Sequence, residues 1–129
     1  MIKVIRGLES VNLFSQNAKR LADFYKKKVG LKLTLEAEMG RKARIFGFEF
    51  AKSSNLYVVD SDMIKGVNKG PRRIFLNFEV DDIKKEVKKL GANKVKKVQE
   101  TYHLEGYGWI ATFEDVDGNY FQLVQVRAS

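Results

Sequence analysis

Ile45, Phe48 and Glu49 recur 65 residues later as Ile110, Phe113 and Glu114, and Asn12 recurs at the same interval as Asn77. Asn55 and Asn119 stand 64 apart, which reads as a one-residue change in a loop. Self-similarity at one period marks a duplicated unit, and a unit of this size leaves one sheet face uncovered when it stands alone. The 129 residues make one domain's worth of chain. It divides into a first module of about residues 8–62, a linker of about 63–71 and a second module of about 72–127.

The element pattern repeats with the letters. Residues 8–14 alternate as a strand. Ser15 to Lys28 then carries Ala18, Leu21, Ala22, Tyr25 and Val29 on one helical stripe, with Ser15 or Asn17 as its cap and Gly30 just past its end. Leu31–Ala37, Ala43–Phe50 and Asn55–Asp60 follow as strands. In the second half Arg73–Val80 is a strand. Asp81 or Asp82 caps a helix carrying Ile83, Val87 and Leu90, which Gly91 ends. Lys94–Gln99, Trp109–Glu114 and Asn119–Val126 are strands, and Asp117-Gly118-Asn119 is a tight turn. The predicted fold is α+β: two βαβββ modules pairing into a curved, mixed, open barrel-like sheet, with helices outside and a ligand cleft inside.

Composition removes several kinds of chemistry. With no cysteine, disulfides, thiolate metal sites and cysteine nucleophiles are excluded. No apolar run approaches the roughly 20 residues of a membrane span. Met1 to Ser10 carries Lys3, Arg6 and Glu9 without an apolar stretch, so it does not read as a signal peptide, and the expectation is a soluble cytoplasmic protein. The net charge of +8 comes largely from Lys26–Lys28, Lys84–Lys89 and Lys94–Lys97. These lysines fall on or just after the predicted helices without interleaved aromatics, which reads as a solvated surface and disfavours nucleic-acid binding.

Three stretches resemble the vicinal oxygen chelate superfamily, the group of glyoxalase I, bleomycin-resistance proteins and extradiol dioxygenases. They are Ser10 to Lys32, with Phe24-Tyr25 and Val29-Gly30-Leu31; Phe75 to Ala92, with its Phe-x-Val-Asp-Asp strand end; and Phe113 to Gln125, where Val116 replaces the proline of the usual Asp-Pro-Asp-Gly-Asn turn. The resemblance covers about Leu8 to Val126 and implies the fold, not a reaction. It also implies four inward positions that in the family's enzymes hold a divalent metal through His, Glu or Gln. Carried over, they read Ser10, Val58, Phe75 and Gln122, of which only Gln122 could ligate. A catalytic metal needs about three His or carboxylate ligands, so no metal and no cofactor is expected.

The same positions set the expected ligand-binding face: Ser10 and Asn12, Val58, Phe75 and Asn77, Tyr120 and Gln122, with Trp109. His103 is placed with Glu105 in a loop over Glu100–Gly106, where a lone histidine is ordinarily solvated. It is the weak catalytic candidate, as an acid or base at the cleft edge. Neutral amides beside aromatics suit binding better than bond breaking. The expectation is a metal-independent small-molecule binding protein with a neutral or anionic aromatic ligand, since a chain of this charge repels cationic drugs. A divergent metal-dependent lyase, isomerase or dioxygenase is the first alternative, and a basic nucleic-acid or interaction module the second. A homodimer is expected from the half-open sheet edges.

Overall fold

The structure, a computed structural model, describes residues 4–40 and 43–127. Met1, Ile2 and Lys3, on which the reading of the opening segment partly rests, lie outside the described residues. The chain divides into two compact units at Lys65 and Gly66, and each is a βαβββ module. Eight strands form two four-stranded mixed sheets, neither closed.

In the first module the strands are β1 (Ser10–Ser15), β2 (Leu35–Met39), β3 (Ala43–Phe48) and β4 (Asn55–Asp60). They are ordered β1-β4-β3-β2, with β1 and β4 parallel and the other pairs antiparallel. Helix α1 (Ala18–Asp23) starts at Asn17, whose side chain accepts from the Arg20 amide. A π-helical segment, Phe24–Val29, continues it and closes on Gly30. Tyr25 is fully buried at that junction, and its carbonyl accepts from both Gly30 and Leu31. The helical stripe of Leu21, Ala22 and Tyr25 packs on the face of the sheet that carries Phe46, Phe48, Leu56 and Val58. Burying each large side chain of this kind contributes roughly 1.5–3 kcal/mol.

The second module repeats the plan. Its strands are β5 (Phe75–Glu79), β6 (Lys96–Leu104), β7 (Gly108–Glu114) and β8 (Tyr120–Val126), ordered β5-β8-β7-β6. Helix α2 (Ile83–Ala92) begins at Asp82, which accepts from the Lys85 amide. Ile83 and Leu90 pack on its sheet, where Phe113 and Phe121 stack at 5.7 Å between centroids. Ala111 and Phe113 therefore belong to the core, as do Phe46 and Phe48 in the first module.

Several boundaries differ from the sequence expectation. Gly91 lies within α2, and the left-handed residue that follows is Lys94, at φ 60°. The strand expected over Leu31–Ala37 forms at Leu35–Met39. Arg73 is no strand residue: Pro71–Arg73 is one 3-10 turn, started by the proline whose fixed φ and missing N–H suit a first helical position. β6 runs through to Leu104, so His103 sits in a strand rather than a loop.

Strand pairing also corrects the repeat. Ser10 pairs with Asn55 and Asn12 with Tyr57, while Phe75 pairs with Tyr120 and Asn77 with Gln122. The interval is therefore 65 on the last strand as well, and no residue is lost from the loop. Asn55 corresponds to Tyr120, and the counterpart of Gln122 is Tyr57, not Val58.

Candidate functional site

Side chains alternate across a sheet, so register decides which residues share a face. In each module one face carries the helix and the other is open. On the second sheet Phe75 and Asn77 of β5 stand opposite Tyr120 and Gln122 of β8, and Gln122 stands opposite Thr112 of β7. These five share the open face. The Phe75 and Tyr120 rings lie 5.9 Å apart, tilted by 52°.

β6 completes the face through an irregularity. Gln99 pairs with Thr112 and Tyr102 with Ile110, so three steps along β6 match two along β7. A bulge of this kind re-aims the side chains beyond it, and here it brings both Gln99 and Tyr102 onto the open face. The result is a cavity of about 290 Å³ lined by Arg72, Phe75, Val98, Gln99, Tyr102, Thr112 and Gln122. One end of the Gln122 amide is held by the Thr112 hydroxyl at 2.9 Å. Thr112 is buried, which anchors the pair, and the other end of the amide has no partner among the described residues.

Not every expected site residue joins them. Phe75 and Gln122 line the cavity; Asn77 and Tyr120 share its face outside the lining. Ser10 and Asn12 occupy the open face of the first sheet, with Tyr57 between Asn12 and Gly47. Val58 is fully buried on the opposite, helix-bearing face, among Leu13 and Phe46. Trp109 is opposite Gln125, whose side chain accepts from the Ile83 amide at the start of α2, so Trp109 too lies on the helix-bearing face. His103 is its register partner, with ring centroids 4.8 Å apart, and also stands away from the cavity. Arg72, Gln99, Tyr102 and Thr112 are residues that sequence reasoning missed. The single proline before Arg72 was the available signal for the first; the bulge that presents Gln99 and Tyr102 leaves none.

The corresponding place on the first sheet is built differently. Gly47 occupies the position of Thr112, and the Tyr57 ring lies so close that a Cβ on Gly47 would meet Tyr57 Cε1 at 2.8 Å and Leu35 Cβ at 2.9 Å. Glycine is thus required for the aromatic ring to lie on the sheet. The Tyr57 hydroxyl reaches Glu49 at 3.4 Å and accepts from Asn55 at 3.5 Å. Partial burial raises the phenol pKa, Asn55 opposes it and the Glu49 and Glu9 carboxylates add to it, so the net shift is upward and the group is neutral at pH 7.

With the register corrected, the corresponding open-face positions are Ser10 and Tyr57 on the first sheet and Phe75 and Gln122 on the second. They offer a hydroxyl and a neutral phenol on one, a phenyl ring and a carboxamide on the other. None of these is the imidazole or carboxylate that ordinarily holds a divalent cation. Among the described residues no group of three His, Cys, Asp or Glu could hold a metal. No helix among them is long and apolar enough to cross a membrane.

Two consecutive βαβββ modules, each with a helix on one sheet face and an open face on the other, define an α+β protein of the vicinal oxygen chelate kind. The chain belongs to the Glyoxalase/Bleomycin resistance protein/Dioxygenase superfamily, whose family model matches residues 7–123. Solved structures share the fold at low identity. A glyoxylase/bleomycin resistance protein/dioxygenase domain from Frankia sp. EAN1pec has a TM-score of 0.76 at 16% identity, over 95% of this chain and 99% of that one. TnmS3, described as an antibiotic binding protein from Streptomyces sp. CB03234, has 0.74 at 20%, over 97% and 99%. The trypanothione-dependent glyoxalase I of Leishmania major has 0.75 at 18%, over 94% and 87%. No curated protein matches the sequence.

Proposed function

We propose that this protein binds a small planar aromatic compound, neutral or anionic, on the open face of its second sheet, without a metal. The observation that carries the reading is the cavity lining: a phenylalanine, a tyrosine, two glutamines, a threonine, a valine and an arginine, with no histidine and no carboxylate. Such a site offers stacking surface and hydrogen bonds, and its lining has no histidine, cysteine, lysine or carboxylate to serve as base or activated nucleophile. Phe75 and Tyr102 supply the flat walls. Gln122, anchored through Nε2 by Thr112, leaves its Oε1 to accept from a ligand donor at little entropic cost. That TnmS3 is described as an antibiotic binding protein supports binding as a use of this fold. The excess of positive charge argues against cationic drugs as the ligand here.

The test is elemental analysis of the untreated protein, with thermal unfolding of the chelated protein before and after Zn, Ni, Mn and Fe(II). A ligand at 100 times its dissociation constant adds about 2.7 kcal/mol, a rise of several degrees. The reading expects no stoichiometric metal and no shift with any of the four. A bound metal with a clear shift contradicts it and directs assays to lyase, isomerase and dioxygenase chemistry. The reading includes a cytoplasmic homodimer, supported by the fully exposed edge strand β2, and sedimentation velocity checks the dimer.

A further inference from the structure

Arg72 is the one charged side chain of the cavity lining. Its guanidinium carbon lies 5.5 Å from the centroid of the Tyr120 ring, within cation–π range, and the residue is exposed. No carboxylate is paired with it among the described residues. Glu114, opposite Tyr120 in register, is held by Lys96 at 3.6 Å. Glu79 shares the open face but stands four residues along β5 from Phe75, roughly 13 Å at strand spacing.

The backbone that carries Arg72 is tied down. The Arg73 amide donates to the Gly70 carbonyl at 3.1 Å, and the Gly70 amide to the Asn68 side chain at 2.8 Å. Asn68 in turn donates through its backbone to the Asp117 carbonyl at 2.8 Å and through its side chain to Asn119 at 3.0 Å. That turn is itself braced by Asp115, whose carboxylate accepts from the Asp117 and Asn119 amides. A guanidinium on a fixed turn, oriented by an aromatic ring, is a preorganised fork at the mouth of an otherwise uncharged cavity. Arginine forks match carboxylates with two parallel N–H donors, and charge-assisted bonds of this kind are about twice as strong as neutral ones.

We infer that Arg72 makes this site selective for planar compounds that carry one carboxylate, the acid group on the guanidinium and the ring system against Phe75 and Tyr102. The inference rests on the reading of this face as a ligand site. Ring-borne amines are excluded by the same charge, and neutral amides lose the paired contact.

The probes are 2-naphthoate and its neutral isostere 2-naphthamide, titrated into the full chain by calorimetry at about 0.1 M salt. Naphthoate is expected to bind on the order of 10- to 100-fold more tightly than naphthamide. Arg72→Gln is expected to bring the two probes within about twofold by weakening naphthoate, with the thermal midpoint of the free protein kept, since the residue is exposed and outside the core. Arg72→Lys is expected to keep part of the preference, as a point charge without the fork. Naphthamide binding as tightly as naphthoate, or an unchanged preference in Arg72→Gln, overturns the inference and leaves the site reading standing. Failure of both probes to bind overturns the site reading together with the inference.

Discussion

On the open face of the first sheet a tyrosine lies over a glycine; at the same two positions of the second sheet a glutamine is held by a threonine. The pairs are Gly47 with Tyr57 and Thr112 with Gln122, related by the 65-residue interval. One module fills its face with its own aromatic ring. The other leaves room above a fixed amide, and there the 290 Å³ cavity forms. The helix-bearing faces, in contrast, keep one device. The first helical amide of each module, Ala18 or Ile83, donates to a side chain at the end of the fourth strand, Asp60 at 2.7 Å or Gln125 at 2.8 Å. The repeat keeps what seats the helix and differs in what covers the open face.

The largest effect is expected where the shared device carries a charge. Asp60 accepts from the Ala18 and Arg44 amides and from the Arg44 guanidinium at 2.8 Å. Asp60→Ala leaves these donors without their acceptor and is expected to cost about 2–3 kcal/mol, read as a loss of urea midpoint. Gln125→Ala removes one neutral bond and is expected to cost about 1 kcal/mol. Equal losses would break the comparison.

The same pair differs in pH dependence. Burial pushes the Asp60 pKa up, but the Arg44 hydrogen bond, the two backbone amides and the Arg44 charge outweigh it, so its folded value lies below the ordinary one. Its contribution is therefore complete above the unfolded carboxyl pKa of about 3.9 and is lost as pH falls through the lower folded value. Asp60→Asn is expected to flatten that acid limb of the stability profile, and Gln125→Ala to leave it unchanged.

A smaller loss is expected from Gly47→Thr, which transplants the second module's residue into the first. The new side chain meets the Tyr57 ring and Leu35, and overpacking of this kind costs about 1–3 kcal/mol. Adding Tyr57→Gln is expected to recover part of it by rebuilding the amide and hydroxyl pair. No recovery in the thermal midpoint would mean that the two faces differ by more than these two residues.

The smallest stability effect, and the sharpest on binding, separates the two sides of the second sheet. Gln122→Leu is expected to weaken 2-naphthamide about 5- to 10-fold, the worth of one hydrogen bond. Trp109→Phe is expected to leave it within about twofold, because Trp109 lies on the helix-bearing face. Calorimetric titration of both variants measures the contrast.

The α+β class, the two modules, both helices and the stripe of Leu21, Ala22 and Tyr25 were legible because apolar spacing and caps are local signals. Gly30 and Gly118 take left-handed φ, 94° and 81°, where the sequence pattern puts a helix end and a tight turn. The open face was legible in part. Matching Asn55 to Asn119 by letter shifted the last strand by one residue, and a one-residue shift turns every side chain to the other face. The two asparagines do different work: Asn55 accepts from the Phe50 amide, whereas Asn119 donates to Asp115. That shift is why Val58 stood in for Tyr57. Gln99 and Tyr102 were hidden for another reason. Strict alternation along β6 puts them on opposite faces, and only the bulge unites them, a feature set by pairing with β7 rather than by local composition.

The central claim is that the second sheet's open face takes a planar ligand with no metal. It is tested most directly by following the amide resonances of isotope-labelled, chelated protein during titration with 2-naphthoate. The account expects the Gln122 side-chain amide and the Gln99, Tyr102 and Thr112 backbone amides to shift first and saturably, with no change on adding Zn or Ni. Shifts that begin only after metal is added, or that gather on the first sheet around Tyr57, would contradict it.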